Sequence, residues 1–326
     1  MTAPAVSLNS ARDSEDAWTV VLWCGLAAAA LHAIYVLALG LWQPLTDLHS
    51  FRQTQTALTV YWLLQGGPWL GYETPVLGAP WAAPFEFPIF QWIVAALVPL
   101  GLPLDAAGRA VSFAFYLTTL WPLAILCRAA GLGRTTFLAT AILFLTSPLY
   151  LYWSRTFMME SCALFFSCLA LAQLAAYLNR RQLWLAAIAT AAGVLGALTK
   201  ITTFPSFAFI GGCLILIDAG RRLSAERRLD TIKTIVVPAL VITAPFVVTF
   251  AWTYYSDQLK NANEFGRMLT STSLMTWNAG TLAQRLSRQL WSAVIEQRVL
   301  HDLFGPTVLV AVAVAGAALP TRRRAI

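Results

Sequence analysis

The sequence predicts an all-α fold, a polytopic bundle of transmembrane helices with about eight spans plus one interfacial or re-entrant helix. Two observations predict it. The 326-residue chain is 58% hydrophobic and 11% charged, with mean hydropathy +0.66, a balance that a water-soluble domain of this size does not have. Its apolar runs also recur at lengths that cross a bilayer, where backbone polar groups must be paired within the segment and the helix is the natural answer.

The runs lie at about 18–42, 88–104, 109–127, 135–153, 161–178, 183–199, 202–217, 234–254 and 304–319. Residues 1–17 form a short N-terminal tail, and the first run is too long for a signal-peptide core, so it reads as a retained anchor. The run at 88–104 is short, opens at Pro88 and is broken by Pro99, Gly101 and Pro103; these residues suit a helix at the interface or one that dips in and out. Residues 18–254 then form the transmembrane core, 255–303 a second outer loop, and 304–326 the last span with a basic tail.

Charge sets the direction of the spans. The net charge is +7, and more than half of the basic residues fall in four places: Arg128 with Arg134, Arg180 with Arg181, Arg221 to Lys233, and Arg322 to Arg324. Each set lies two crossings from the next, which the positive-inside rule reads as one cytoplasmic side. The basic balance is thus a topology signal, and no nucleic acid partner is expected. The loop 43–87, the turn 154–160 and the corner at Lys200 then face outward together. Within 43–87, a short helix is expected from Leu48 to Leu64, followed by an irregular Gly/Pro-rich piece. Another helix is expected around Leu282–Arg298.

The cysteines, Cys24, Cys127, Cys162, Cys168 and Cys213, have no metal or disulfide spacing and read as small packing residues. No HExxH, GxSxG, P-loop or usable GxGxxG pattern is present, which leaves zinc-protease, esterase, nucleotide-hydrolase and dinucleotide chemistry without support. His32 is the only titratable side chain near the middle of a span, and it reads as a packing residue. Ion-coupled transporters usually keep acids or bases at that depth. Here the polar groups collect at the rim.

Four polar groups stand there. In "TDLHSFRQTQTA", a helix beginning after Asp47 places His49, Arg52, Gln53 and Thr56 on one face, with Phe51, Leu58, Tyr61 and Trp62 nearer the membrane surface. The plainer reading makes Asp47 an N-cap and Arg52 a lipid-headgroup anchor. In "SRTFMMES", Arg155 and Glu160 border hydrocarbon, either as functional charges or as an ordinary interfacial pair. In "ALTKITTFP", Lys200 is a lone cation on the proposed outer side, suited to a lipid phosphate or to simple snorkelling. Glu86 in "FEFPIFQW" is the fourth, and Arg109 opens a span.

In their order along the chain these segments resemble the GT-C superfamily of integral-membrane glycosyltransferases, and most closely the bacterial branch of the dolichyl-phosphate-mannose protein mannosyltransferase and aminoarabinose transferase type, glycosyltransferase family 39. The resemblance rests on Asp47, His49, Ser50, Phe51, Arg52, Gln53, Thr56 and Ala57 after the first span, on Glu86–Phe87–Pro88, Gly108–Arg109, Ser147–Pro148, Met159–Glu160 and Leu198–Thr199–Lys200. It covers about residues 18–220 and fades afterward. One departure is Leu48, where several relatives carry a second acid beside the first.

The resemblance implies transfer of a sugar from a polyprenyl-phosphate donor to an acceptor hydroxyl on a glycan, lipid or protein, with inversion, at the outer face of a bacterial inner membrane. It makes Asp47 the general base and Glu160 its catalytic companion. Arg52 and Lys200 would bind the departing phosphate with Arg155, while His49, Gln53 and Glu86 would bind substrate. The sequence requires no cofactor, and the resemblance leaves room for a divalent metal held by Asp47 and Glu160. Two other classes stay open at this point: a transporter or flippase of lipid-linked saccharides, and a catalytically silent membrane scaffold.

Overall fold

A computed structural model describes residues 7–224 and 232–305. The expected span at 304–319 and the basic tail through Arg324 fall almost entirely outside the described residues. The described chain is helical, and its only β pairing is a single bridge between Glu73 and Ala82. Among the described residues, five helices are long and apolar enough to cross a membrane, or six if one bent pair counts as a span. These are the helices of an integral membrane protein.

The first helix, α1, runs Ser7–Gly40, with its apolar stretch at Trp18–Gly40. Helix α2 covers Ser50–Leu64 and buries Gln53, Thr56, Ala57, Thr59, Val60 and Leu63 while Phe51 and Tyr61 stay exposed. That is the amphipathic division its spacing dictates. Its start differs from the plainer sequence reading, in which Asp47 is the cap. His49 holds the N-cap position in a left-handed conformation, φ 61°, with no side-chain cap, because the Asp47 carboxylate is engaged elsewhere.

The run expected at 88–104 contains α3, Ile89–Leu97, followed by a 3-10 turn at Val98–Leu100. Too short to cross, it packs Phe90 and Val94 into a core with Val60, Ala107 and Phe157. Next come α4, Leu104–Thr118, and α5, Leu120–Ala129, together one apolar stretch of 26 residues. Gly108 on α4 faces the buried Phe157 ring so closely that an added Cβ would lie 2.4 Å from it.

The run expected at 135–153 is broken. Helices α6, Arg134–Thr146, and α7, Pro148–Ser154, meet at a bend of 64°. Pro148 has no N–H to give the preceding turn, and the Tyr116 hydroxyl supplies a donor there, 2.9 Å from Leu145 O. The bend turns α7 toward the loop that holds Asp47.

Helix α8, Glu160–Arg180, is the most enclosed of the spanning helices. It packs along α9, Leu183–Thr199, an apolar helix of 17 residues. A small residue makes that contact possible, because a Cβ on Gly196 would lie 2.8 Å from Ser167 Oγ; on another face of α9, one on Gly193 would lie 2.9 Å from Pro245 of the helix Val237–Asn261. Helix α10, Phe204–Ser224, and α11, Val237–Asn261, complete the bundle. Helix α11 extends beyond the apolar run expected to end at 254.

The expected helix around Leu282–Arg298 is interrupted. Short helices α12, Met275–Ala279, α13, Leu282–Arg285, and α14, Arg288–Ser292, precede a wide π-type turn at Ala293–Phe304. Ser287 causes the break after α13, its hydroxyl accepting from Leu290 N–H as a fresh N-cap.

Charges separate to the two ends of the bundle. At one end the Tyr177 hydroxyl donates to Lys233 O at 2.7 Å, Asn179 Nδ2 donates to Ala129 O at 2.7 Å, and Arg181 and Arg222 both pair with Asp218. The basic connections at 128–134 and 180–181, together with Arg222 and Lys233, therefore share that end. The opposite end holds Asp47, Glu86 and Glu160 with Arg52, Arg155 and Lys200.

Candidate functional site

At the opposite end, three ion pairs join segments far apart in sequence. Asp47 Oδ2 lies 3.2 Å from Arg155 Nη1, Glu86 Oε1 lies 2.7 Å from Arg52 Nη2, and Glu160 pairs with Lys200. The structure thus brings together every charged residue expected in the site, though in pairs the sequence does not specify.

Asp47 is held by a hub beneath it. Gln53 is 0% exposed; its Nε2 donates to Asp47 Oδ1 at 2.6 Å and to Leu48 O at 3.0 Å, and its Oε1 accepts from Phe157 N–H at 3.0 Å. With both ends of its amide used inside the protein, Gln53 orients the carboxylate and presents no face to a ligand. It was expected to bind substrate, and its burial assigns it to positioning. From the other side, the Tyr152 hydroxyl donates to Leu48 O, and the His49 ring stacks on Trp153 at 5.2 Å. The turn 47–49 is therefore gripped by α2 and α7 together.

Arg109 secures the approach to that turn. It is 1% exposed, and its guanidinium donates to Gly40 O and Gln43 O through Nη1 and to Pro44 O, at 3.2 Å, through Nη2. The carbonyls at a helix C-terminus lack partners within the helix, so a fork of donors there both ends α1 and shapes the following chain. The sequence marked Arg109 as the opening of a span and as part of the Gly108–Arg109 segment of the resemblance. Its reach back to α1 has no local signal.

Arg52 is committed within the protein. Besides Glu86 it donates to Gln55 Oε1 at 2.9 Å and lies over the Phe85 ring. Burial disfavours its charge, but Glu86, Glu160 and Tyr72 outweigh that and hold its guanidinium above the ordinary arginine range. Burial, then the nearby Glu86 carboxylate, drives the Tyr72 phenol upward, so Tyr72 stays protonated. Its hydroxyl donates to Glu86 O at 3.0 Å and accepts from Phe85 N–H at 2.8 Å. Tyr72 is a brace for Glu86 that the sequence did not single out.

Two clefts open beside these groups, separated by the segment 153–160. The first, about 540 Å³, runs from Val36 and Leu39 on α1 past Gln43 to Asp47, Arg109 and Arg155. The second, about 290 Å³, is lined by Tyr150, Trp153, Glu160, Thr202, Thr203 and Ser206 among others. Lys200 takes one Glu160 oxygen; the other, Oε2, is buried and has no hydrogen-bond partner among the described residues. An apolar wall ending in two arginines and a carboxylate can take an amphiphile with an anionic head. A cleft of hydroxyls, aromatic rings and a carboxylate can take a polyol.

Among the described residues, no group of three or more His, Cys, Asp or Glu side chains is gathered as a metal would require. Asp47 and Glu160, for which the resemblance left room for a shared metal, pair with Arg155 and Lys200. No protein family, curated protein or solved structure matches the chain.

Proposed function

We propose that the protein is a membrane glycosyltransferase that moves a sugar from a polyprenyl-phosphate donor to an acceptor hydroxyl at the outer face of a bacterial inner membrane, in a bundle of about eight spans. One observation carries this reading: Asp47 stands at the polar end of a cleft whose wall continues down the lipid-facing side chains of α1, with Arg155 and Arg109 beside it. The family resemblance of the surrounding segments supports the same chemistry.

Asp47 accepts the proton of the acceptor hydroxyl as that oxygen bonds to the anomeric carbon. The bond from that carbon to the donor phosphate breaks, and the phosphate leaves with the electron pair, inverting the sugar. Arg155, the cation in the Asp47 cleft, takes up the growing phosphate charge. Lys200 assists, whereas Arg52, tied to Glu86 and Gln55, acts from behind by fixing the wall at 85–87. Glu160 uses its unpartnered oxygen to hold a sugar or acceptor hydroxyl, and His49, stacked on Trp153, braces the wall of that second cleft.

Proteoliposomes carrying the protein and a radiolabelled polyprenyl-phosphate sugar test this. The label is expected to leave the lipid for a supplied acceptor; movement of the intact donor between leaflets without its consumption would instead establish a flippase. Cysteines placed singly at 47, 160 and 200 are expected to react with an impermeant maleimide from the outer side of spheroplasts. Labelling of 47 from one side and 160 from the other would defeat a shared outward site.

A further inference from the structure

A third cleft, about 560 Å³, lies at the end of α11 and shares no lining residue with the two clefts around Asp47 and Glu160. Val247, Phe250, Tyr254, Gln258 and Asn261 follow at spacings of three and four along one face of α11, changing from apolar to polar as the helix leaves its membrane-spanning stretch. Phe250 and Tyr254 are 74% and 64% exposed, as lipid-facing and interfacial aromatic side chains are.

The segment 267–273 folds over the polar end. Arg267 Nε donates to Asn261 O at 3.1 Å, leaving both terminal nitrogens without a hydrogen bond among the described residues. Asp257 also lines the cleft, but its carboxylate is neutralised by Lys260 Nζ at 2.9 Å and accepts from Ser271 N–H and Oγ–H. The surplus charge at the polar end is therefore that of Arg267, beside the hydroxyl of Thr272; the Ser273 hydroxyl is spent on Arg267 O at 2.8 Å.

We infer that this cleft binds the phosphate headgroup of a membrane lipid on Arg267 and the Thr272 hydroxyl, with the lipid's chains along Val247, Phe250 and Tyr254. Guanidinium and hydroxyl donors suit phosphate oxygens. A lipid is favoured over a free anion because the polar end continues without a break into an exposed apolar stripe, which only an amphiphile covers.

The test uses the full chain in neutral-detergent micelles, a photoactivatable phosphatidic acid and peptide mapping of the label. Label is expected on residues 247–275, competed by plain phosphatidic acid and not by inorganic phosphate. Arg267→Gln should lower it about tenfold, equivalent to about 1.4 kcal/mol, while Arg267→Lys, which keeps the charge, retains most of it and separates lost charge from lost folding. Equal labelling in Arg267→Gln, or equal labelling by a photoactivatable diacylglycerol, would overturn the proposal. Displacement by inorganic phosphate would also overturn it, assigning the site to a free anion. Asp47→Asn should leave this label unchanged, so the inference stands or falls separately from the transferase reading.

Discussion

Replacing Asp47 with asparagine is expected to lower sugar transfer by about 10²–10⁴-fold, the usual contribution of a positioned general base. The change is nearly isosteric and removes the negative charge, and with it the capacity to take a proton. Asn Oδ1 can still accept from Gln53 Nε2, which now stands 2.6 Å from the carboxylate. The pair with Arg155 is partly exposed, with side chains 30% and 29% accessible, so its loss should cost no more than about 1 kcal/mol. Initial transfer rates in proteoliposomes, set beside thermal unfolding of the same preparations, read the two effects separately. A mutant that transfers sugar at the wild-type rate would remove Asp47 from the chemistry.

Arg109→Met should produce the largest loss of stability, on the order of 3 kcal/mol or more, since hydrogen bonds to a charged group contribute about 1.5–3 kcal/mol each. Methionine fills part of the volume but leaves Gly40 O without its donor in a buried place, and Gln43 O and Pro44 O without theirs in partly buried ones. With that fork gone, the chain from Gly40 to Thr46 loses its anchor and Asp47 loses its fixed approach to the cleft. Transfer should therefore fall with stability. Arg109→Lys should recover little, because a single ammonium cannot reach three carbonyls in the geometry of a planar guanidinium. Thermal unfolding in detergent checks this. An unchanged melting temperature in Arg109→Met would show that the carbonyls find other partners and that the arginine does not organise the turn.

Much of the fold was legible because hydropathy acts locally. The apolar stretch at Trp18–Gly40, the helix at Ser50–Leu64 and the long helix at Glu160–Arg180 lie where their runs and spacing put them. The shortness of Ile89–Leu97 was likewise readable from Pro88, Pro99 and Gly101. The 64° bend at Ser147–Pro148 was less so, since a proline can also be carried within a span, as Pro245 is in α11. What separates the two sites is the surroundings: at the first, a tyrosine from α4 serves the carbonyls left by the break.

The site was legible as an inventory and not as an arrangement. Asp47, Glu86, Glu160, Arg52, Arg155 and Lys200 were all visible as charges at the membrane rim, where an unneeded charge is unfavourable. The role of Gln53 was hidden, because a glutamine on the polar face of an amphipathic helix looks the same whether it meets water or a neighbouring backbone. Only its full burial against Phe157 distinguishes them.

The sequence by itself determined that this is a helical membrane protein, where most of its apolar helices lie, and that its basic connections belong to one end. Those follow from the transfer of side chains and backbone out of water, which depends on composition and run length along the chain. Only the tertiary structure decided which cation answers which acid: Arg155 for Asp47 across 108 residues, Lys200 for Glu160 across 40, and Arg52 for Glu86 across 34. An ion pair forms between charges that packing brings within a few ångströms, and that proximity is set by helix crossings, the bend at Pro148 and the absent side chains of Gly108, Gly193 and Gly196.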